Sequence, residues 1–354
     1  GTIFINALKL IAMPLILGSL IKGVSDLKDI SKLSQMGGRT IGIYIITTVV
    51  AVMIGLVMVN AIKPGGSISE ETRQDLITAY QSDAEEKQAI AQQQKDAGPL
   101  QALVDLVPDN IFKATTENGN MLQVIFFALF FGVGLILIPA EKSKPVKDFF
   151  DGFNEVILKL IDLIMLVAPY GVFALLAALV VESPSLDLFH ALGMYALTLI
   201  IGLVVMGLFY LLLVRIFVKF KSKKFIEGIA PAQLLAFSTS SSAATLPVTM
   251  ERVEEHLGVD EEVASFVLPI GATINMDGTS LYQAVAAVFI AQAFGMDLSA
   301  GTQLVIVMTA TLASIGAAAV PGAGMVMLVI VLAQAGIPEA GLALIFAIDR
   351  PLDM

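Results

Sequence analysis

Long apolar runs separated by short polar segments dominate the first two thirds of the chain. A helical run of roughly 18 to 25 apolar residues matches the ~30 Å hydrocarbon core of a bilayer. Such runs extend from Thr2 to Ile21, Ile41 to Ile62, Met121 to Ala140, Leu163 to Val181 and Leu188 to Val214. The pattern therefore predicts an all-α integral membrane protein that crosses the bilayer several times.

Basic residues in the short segments predict the orientation of these spans. Lys and Arg collect after the first, third and fifth runs, and we expect these segments on the cytoplasmic side: Lys22, Lys28, Lys32, Arg39; Lys142, Lys144, Lys147; Arg215, Lys219, Lys221, Lys223 and Lys224. Segment 181–187 has no basic residue and segment 63–98 is predominantly acidic, so both are expected outside. This order places Gly1 outside, which suits a chain that begins after a first span has been removed.

Beyond Phe225 the apolar pattern is interrupted by small and polar residues. Residues 225–250 have STSSSAATLP at their centre, and the 41 residues from Leu298 to Pro338 carry no charge but contain SIGAAAVPGAG at 314–324. No polar loop divides either stretch, so each is predicted to enter the membrane and return on the same side as a hairpin. Between them, GATINMDGTSLYQA at 271–284 interrupts an apolar helix.

Interrupted helices in matching positions indicate a transporter binding site near the bilayer midplane. Free N–H groups at a helix break attract an anion, while unwound carbonyls and carboxylates coordinate a cation. Asp277 inside the membrane costs a few kcal/mol unless it is paired or bound to an ion. Because Asp277 and Asn275 offer hard oxygen ligands, sodium is the expected ion. The residues thus predict a sodium-coupled transporter of a small anionic solute.

Composition supports this hypothesis and argues against other classes of protein. The chain of 354 residues is 56% hydrophobic and 15% charged, whereas soluble domains carry about 25% charged residues. There is no cysteine, and His190 and His256 lie far apart, so a thiol nucleophile or a Cys or His metal cluster is not expected. The net charge of −10 argues against nucleic acid. The absence of a GxSxG motif and of an evident histidine base argues against a serine hydrolase.

Two other interpretations of the interrupted segments stay open at this point. Serine and small residues are common where membrane helices pack closely, so the serine block has a structural interpretation. A channel is a further alternative, although its pore loop would be repeated or lined by charged rings.

Four motifs in fixed order resemble the glutamate transporter family, the sodium/dicarboxylate-amino acid symporters. They are Ser240-Ser241-Ser242 with TLPVTM at 245–250, NMDGT at 275–279, SIGAAAVPGAG at 314–324 and AIDRPLDM at 347–354. The resemblance covers nearly the whole chain. It implies an elevator fold with two re-entrant helical hairpins and a broken helix, assembled as a homotrimer in the cell (inner) membrane. A scaffold domain stays fixed while a transport domain moves.

The resemblance also divides the chain. It implies transmembrane helices of scaffold and transport domains in 1–62 and 119–224, an extracellular polar insertion with a connecting segment in 63–118, and the transport-domain core in 225–354. Within the core it implies hairpin 1 at 225–256, the broken helix at 260–296, hairpin 2 at 298–336 and the start of the last helix at 339–354. The acidic part of the insertion is expected outside, on the scaffold.

One substrate site and three sodium sites are implied by the same resemblance. The substrate site would use Ser240, Ser241, Ser242, Met276, Thr279, Val320, Pro321, Gly324 and Asp353. The first sodium would use Gly271 and Asn275; the second Thr273, Met276 and the backbone of Ser314, Ile315 and Ala317; the third Asn275, Asp277, Tyr44, Thr47 and Thr48. Neither an organic cofactor nor an enzyme activity is expected.

Particular residues indicate the class of substrate and the ions that are coupled to its transport. In the family Asp353 holds an amino group, which favours aspartate or glutamate; a sodium- or proton-coupled carrier of succinate or malate is the alternative. Gln283 stands where animal glutamate transporters have a glutamate linked to proton and potassium coupling, so we predict sodium dependence without potassium countertransport.

The chain stops at Met354, before the family's Arg, Asn and Asp that complete the sites, and we expect it to be part of a longer protein. Hairpin 2, about 299–335, is expected to gate the site, with its flexible tip at Pro321.

Overall fold

The computed structural model describes residues 2–25, 34–79, 107–116, 121–182, 186–218, 220–315 and 323–353, and every regular element in these ranges is a helix. The first seven α-helices are α1 (Thr2–Ser25), α2 (Ser34–Ile62), α3 (Glu70–Ala79), α4 (Ile111–Thr115), α5 (Met121–Leu137), α6 (Ala140–Glu182) and α7 (Leu186–Leu213). The next seven are α8 (Ser222–Thr239), α9 (Ser242–Glu251), α10 (Glu261–Ile274), α11 (Asp277–Ala293), α12 (Ala300–Ile315), α13 (Ala323–Gln334) and α14 (Leu342–Asp353). Shorter 3₁₀ segments cover Pro64–Ser67 and Glu339–Gly341, and π-helical segments cover Val214–Val218 and Arg252–His256.

The predicted membrane spans correspond to α1, α2, α5, α6 and α7. Most of their ends agree with the helix ends to within a few residues. By length and composition, the stretches Gly37–Ser67 and Asp187–Val218 of the described chain can each cross a membrane. Large apolar side chains such as Phe130, Phe173 and Leu208 point outward from α5, α6 and α7. An apolar outer surface of this kind is what a bilayer solvates, so the all-α membrane prediction is confirmed.

One predicted loop is part of a helix. Lys142 to Lys147 lie in α6, which runs without interruption for 43 residues. Local sequence favours this, because Ala, Glu and Lys are good helix formers. The Lys147 ammonium donates a hydrogen bond to the carbonyl of Ser25, at the negative end of the α1 dipole. Lys22 of α1 pairs with Asp151 of α6 at 3.3 Å, so these two predicted cytoplasmic segments lie on the same side of the molecule.

Helix α11 is the centre of the core. Its residues from Ser280 to Ala291 are all buried, and α2, α7, α12 and α13 pack around it. Helix α13 is equally enclosed, with Met325 to Leu332 at most 2% exposed. Helix α11 carries the polar side chains of Asp277, Ser280 and Gln283 in its buried surface, and polar groups within a membrane domain face other helices and not lipid.

Two glycines bring α2 and α7 close to α11 at the same residue. A Cβ atom on Gly55 of α2 would lie 3.0 Å from the Leu281 carbonyl oxygen, and one on Gly202 of α7 would lie 3.1 Å from Leu281 Cδ2. Because both contacts are tighter than ordinary van der Waals packing, a side chain at either position would require Leu281 or the helices to shift by a few tenths of an ångström. Leu281 lies one helical turn after Asp277, so these contacts fix the two helices beside the broken segment.

The beginning of the acidic insertion lies against α11. The Gly65 N–H donates to Gln292 Oε1 at 3.1 Å, and Gln292 Nε2 donates to the Val59 carbonyl at 3.3 Å. On α3, the Arg73 side chain packs against Gly295, just beyond the end of α11. The described start of the insertion therefore contacts the predicted transport core, and its expected place on the scaffold stays a prediction; residues 80–106 lie outside the described ranges.

Candidate functional site

The serine block forms a helix break that its own side chains stabilise. Between α8 and α9, Ser240 adopts a left-handed conformation with φ 48°, and its N–H donates to the Ala236 carbonyl at 2.8 Å. Ser241 is the N-cap of α9, where its hydroxyl accepts from the Ala244 N–H at 3.2 Å. Helices α8 and α9 pack against each other, so the serines lie at the turn of a helical hairpin.

A second break separates α10 from α11, where the sequence predicts it. Asn275 and Met276 leave the helical conformation with ψ values of 76° and 62°. The Asn275 N–H still donates to the Gly271 carbonyl at 3.0 Å, and the Met276 carbonyl accepts from the Ser280 N–H and hydroxyl, both at 3.0 Å. The chain thus stays ordered on both sides while the Asn275 and Asp277 side chains turn away from the helix axis.

Helix α2 places several oxygen atoms beside this second break. The Thr48 hydroxyl lies 2.6 Å from Asp277 Oδ1 and 3.4 Å from Asn275 Oδ1, and the Thr47 hydroxyl lies 3.1 Å from Asn275 Oδ1. Both hydroxyls also lie within 3.1 Å of the Tyr44 carbonyl. A hydroxyl carries only one proton, so two protons serve three acceptor atoms. This excess of acceptors, together with the buried Asp277 charge, is the environment that a desolvated cation stabilises.

Among the described residues no three His, Cys, Asp or Glu side chains converge as a metal site. One carboxylate with neutral hydroxyl, amide and carbonyl oxygens is instead a hard, weakly charged set, which suits an alkali cation. The predicted third sodium set, Tyr44, Thr47, Thr48, Asn275 and Asp277, is therefore brought together. The Tyr44 hydroxyl faces away, because it donates to the Val267 carbonyl at 2.8 Å.

Gly271 has a geometric reason to be glycine. A Cβ atom there would lie 2.7 Å from the Tyr44 hydroxyl oxygen. The glycine of the predicted first sodium set therefore lets α2 approach α10 closely, besides offering its carbonyl to Asn275.

Tyr210 of α7 completes this cluster and was not predicted. Its hydroxyl donates to Asp277 Oδ2, the carboxylate oxygen that Thr48 does not contact. The only sequence signal was a tyrosine inside an uncharged span, four residues after Met206 on the buried face of α7. A tyrosine in such a span has several common uses, so the signal did not single it out.

A cavity of about 250 Å³ lies one turn from Asp277, beside α7, α11 and α14. It is lined by Leu199, Leu203, Gly278, Thr279, Tyr282, Gly324, Leu352 and Asp353. Three members of the predicted substrate set, Thr279, Gly324 and Asp353, are thus brought together. The serines of the first hairpin are outside this lining, and Met276 is buried at the N-cap of α11.

Buried polar groups connect the cavity to α13 and α14. The Tyr282 hydroxyl donates to Asp349 Oδ1 at 2.7 Å. Gln283 Nε2 lies 3.5 Å from the Gly324 carbonyl, while the buried Gln283 Oε1 has no hydrogen-bond partner among the described residues. The first turn of α13 therefore contacts α11 through polar side chains.

The predicted second sodium set is not brought together to the same degree. Thr273 is exposed and donates to the Ile270 carbonyl of its own helix, while Ser314 is fully buried and donates to the Thr311 carbonyl. Ile315 is half-buried against the core. Ala317, Val320 and Pro321 lie outside the described residues.

Comparison with known proteins finds one family and many related transporters. The family model described as the sodium:dicarboxylate symporter family matches residues 1–354. Excitatory amino acid transporter 3 of Mus musculus is 38% identical over 390 residues, covering 100% of this chain and 74% of that protein. The proton/sodium-glutamate symport protein of Geobacillus stearothermophilus is 36% identical over 364 residues, covering 100% and 82%. The proton/glutamate-aspartate symporter of Escherichia coli (strain K12) is 34% identical over 366 residues, covering 100% and 79%.

Proposed function

Because this chain belongs to the sodium:dicarboxylate symporter family, we propose that it is a secondary active symporter that carries aspartate or glutamate with sodium across the cell (inner) membrane. Sodium is the co-transported ion, no organic cofactor is expected, and the protein is a transporter and not an enzyme. The printed names of two bacterial relatives specify glutamate, or glutamate and aspartate, as what those proteins carry.

The observation that carries this proposal is the group of oxygen atoms at the Asn275–Met276 break. Sodium bound beside Asp277 would neutralise a carboxylate that is 4% exposed within a membrane domain. It would also be coordinated by the oxygen atoms of Thr47, Thr48 and Asn275, among which the two hydroxyl protons are too few to give every acceptor a hydrogen bond. Ion binding therefore favours the conformation in which the break is ordered.

Coupling of ion and substrate follows from chain connectivity. Asp277 at the ion cluster and Thr279 at the cavity are two residues apart in the first turn of α11. An ion that fixes Asp277 thus fixes the position of Thr279, and the substrate in turn favours the ion-bound conformation. This reciprocity is the linkage that any symporter requires.

The substrate would lie between the cavity residues and the two hairpins. In the proposal Asp353 pairs with the substrate amino group, Thr279 and Gly324 contact it from α11 and α13, and Ser240, Ser241, Ser242, Met276, Val320 and Pro321 close the site. Hairpin 2 would act as the gate, and Gln283 of α11 contacts the Gly324 carbonyl at the start of its second helix. The first and second sodium sites at Gly271 and Asn275, and at Thr273, Met276, Ser314, Ile315 and Ala317, belong to the same proposal.

On a larger scale we propose that residues 225–354 form the mobile core of an elevator, with two re-entrant hairpins, inside a homotrimer. The packing of α12 and α13 against α11 supports movement of this core as one body, and α2 and α7, which also pack against α11, would move with it.

Uptake of radiolabelled L-aspartate into proteoliposomes tests the function. We expect uptake with an inward sodium gradient and none when choline replaces sodium. Excess unlabelled glutamate should compete, whereas excess succinate should not. Uptake driven by an inward proton gradient without sodium would contradict sodium coupling, and competition by succinate alone would contradict the amino-acid substrate.

A further inference from the structure

Asp277 is held from two sides by hydroxyl groups of different helices. Thr48 of α2 contacts Oδ1 at 2.6 Å, and Tyr210 of α7 donates to Oδ2. Oδ1 contacts the Thr48 hydroxyl, which also lies 3.4 Å from Asn275 Oδ1, whereas Oδ2 faces only α7 among the hydrogen bonds of the described residues. The two carboxylate oxygens thus have different neighbours.

We propose that Tyr210 is a positioning residue of the sodium centre, an inference that rests on the proposed function. By donating to Oδ2, the Tyr210 hydroxyl fixes the rotation of the Asp277 carboxylate and directs Oδ1 toward the oxygens of α2 and the break. Sodium then meets a preformed set of ligands. Without this hydrogen bond the carboxylate is held, among the described residues, by Thr48 alone, and ion binding must include a larger entropy cost of ordering it.

The fold places Tyr210 at this position through close packing upstream. Tyr195, Leu199, Gly202 and Met206 form a stripe on α7 at spacings of three and four residues, and Tyr210 continues it by one more turn. At Gly202 the absence of a side chain lets α7 approach Leu281 of α11. The hydroxyl can therefore reach Asp277, one turn before Leu281.

Downstream, α7 changes from α-helical to π-helical geometry at Val214–Val218. A π-helical segment accommodates an additional residue within a helix, and such segments are frequent at functional sites. Here it begins one turn after Tyr210. The change in geometry is confined to residues that follow Tyr210 in the chain, so the residues of the stripe up to Tyr210 keep their α-helical geometry.

Sodium binding to the purified protein in nanodiscs, without substrate, tests the role of Tyr210. The midpoint of thermal unfolding is measured as sodium is titrated against choline at constant ionic strength. In Tyr210→Phe we expect the apparent sodium dissociation constant to rise about tenfold, as for loss of a hydrogen bond to a charged group. The matched control is Tyr195→Phe, which removes a buried hydroxyl from the same helix away from Asp277, and it should leave sodium affinity unchanged.

A purely structural role predicts a different result. Tyr210→Phe would then lower the unfolding midpoint without sodium but leave the sodium dissociation constant at the wild-type value, and that outcome would overturn the proposal. If wild type itself shows no sodium dependence, the proposed function fails as well, so the two failures are distinguishable.

A second variant keeps the proposal testable if Tyr210→Phe does not fold. Gly202→Ala retains the hydroxyl but places a methyl group 3.1 Å from Leu281 Cδ2, so the Leu281 side chain and α7 must shift by a few tenths of an ångström and sodium binding should weaken modestly. Gly207→Ala is its control on the same helix, because a Cβ atom there meets nothing within 4 Å. Equal sodium affinity in both alanine variants would contradict the proposal.

Discussion

The two helix breaks differ in what holds them. At Ser240 and Ser241 the chain turns with contacts to its own two helices: the Ser241 hydroxyl caps α9, and the Ser240 N–H bonds back to α8. At Asn275 and Met276 the break is surrounded by α2 and α7, whose Thr48 and Tyr210 hydroxyls hold the Asp277 carboxylate. Among the hydrogen bonds between described residues, those of the first break stay within α8 and α9, whereas those of the second join α2, α7 and α11.

This difference matches two different tasks. A break held by hydrogen bonds to its own two helices can keep its geometry when other helices move, which suits a hairpin tip that contacts the substrate while hairpin 2 acts as the gate. The geometry of a break that is held by three helices depends on their relative positions. This suits an ion site that binds sodium only when the core is assembled. Substitutions at the second break should therefore change ion binding, and those at the first should not.

The largest effect is expected from Asp277→Asn. Loss of the only carboxylate in the oxygen cluster should weaken sodium binding on the order of 100-fold, because a charged ligand is replaced by a neutral one. Sodium titration of thermal unfolding measures this, with the exposed Asp297→Asn as control. A sodium affinity equal to wild type would place the ion elsewhere.

Thr48→Val should have the next largest effect. It leaves Asp277 Oδ1 without its nearest hydroxyl and removes one oxygen from the cluster, so sodium affinity should fall about tenfold. Thr198→Val is the matched control, since its buried hydroxyl donates to the Met194 carbonyl of its own helix. The same loss of sodium affinity in both variants would show that Thr48 acts only through helix packing.

Gly55→Ala tests whether helix spacing maintains the second break. The new methyl would meet the Leu281 carbonyl oxygen at 3.0 Å, and we expect a destabilisation of about 1–3 kcal/mol together with weaker sodium binding. Gly42→Ala on the same helix meets nothing within 4 Å and should stabilise α2 by up to about 1 kcal/mol. Thermal unfolding that shifts in the same direction for both variants would contradict this account.

Ser241→Ala should have the smallest effect. Loss of the N-cap hydrogen bond should destabilise the protein by about 1 kcal/mol, and Ser241→Gly should cost only a few tenths. Because the Ser241 hydroxyl is not among the groups of the described residues that contact Asn275 or Asp277, sodium affinity measured without substrate should not change in either variant. A clear change would mean that the two breaks are coupled even before the substrate binds.

Much of the architecture was predictable from local patterns. Apolar runs and helix-breaking residues indicated the spans and both breaks, whereas the oxygen cluster of Tyr44, Thr47, Thr48, Asn275 and Asp277 was implied by the family resemblance. The helical extension of α6 over Lys142 to Lys147 was missed, because basic residues were interpreted only as a topology signal. Their helix propensity and their contacts to the end of α1 make the segment helical.

Long-range contacts were not predictable in the same way. Tyr210 reaches Asp277 across 67 positions in the sequence, and Arg73 packs on Gly295 across an even longer separation. Neither pair has a local pattern, since each depends on how closely glycines let helices approach. The cavity lining from α7, at Leu199 and Leu203, was missed for the same reason.

The most direct test of coupling is whether aspartate drives sodium. Proteoliposomes are given equal sodium on both sides, a trace of radioactive sodium outside and an inward aspartate gradient. Wild type should accumulate radioactive sodium transiently above equilibrium, and Asp277→Asn should not. Aspartate uptake without sodium movement, or equal sodium accumulation in Asp277→Asn, would contradict a sodium-coupled symporter whose ion binds at Asp277.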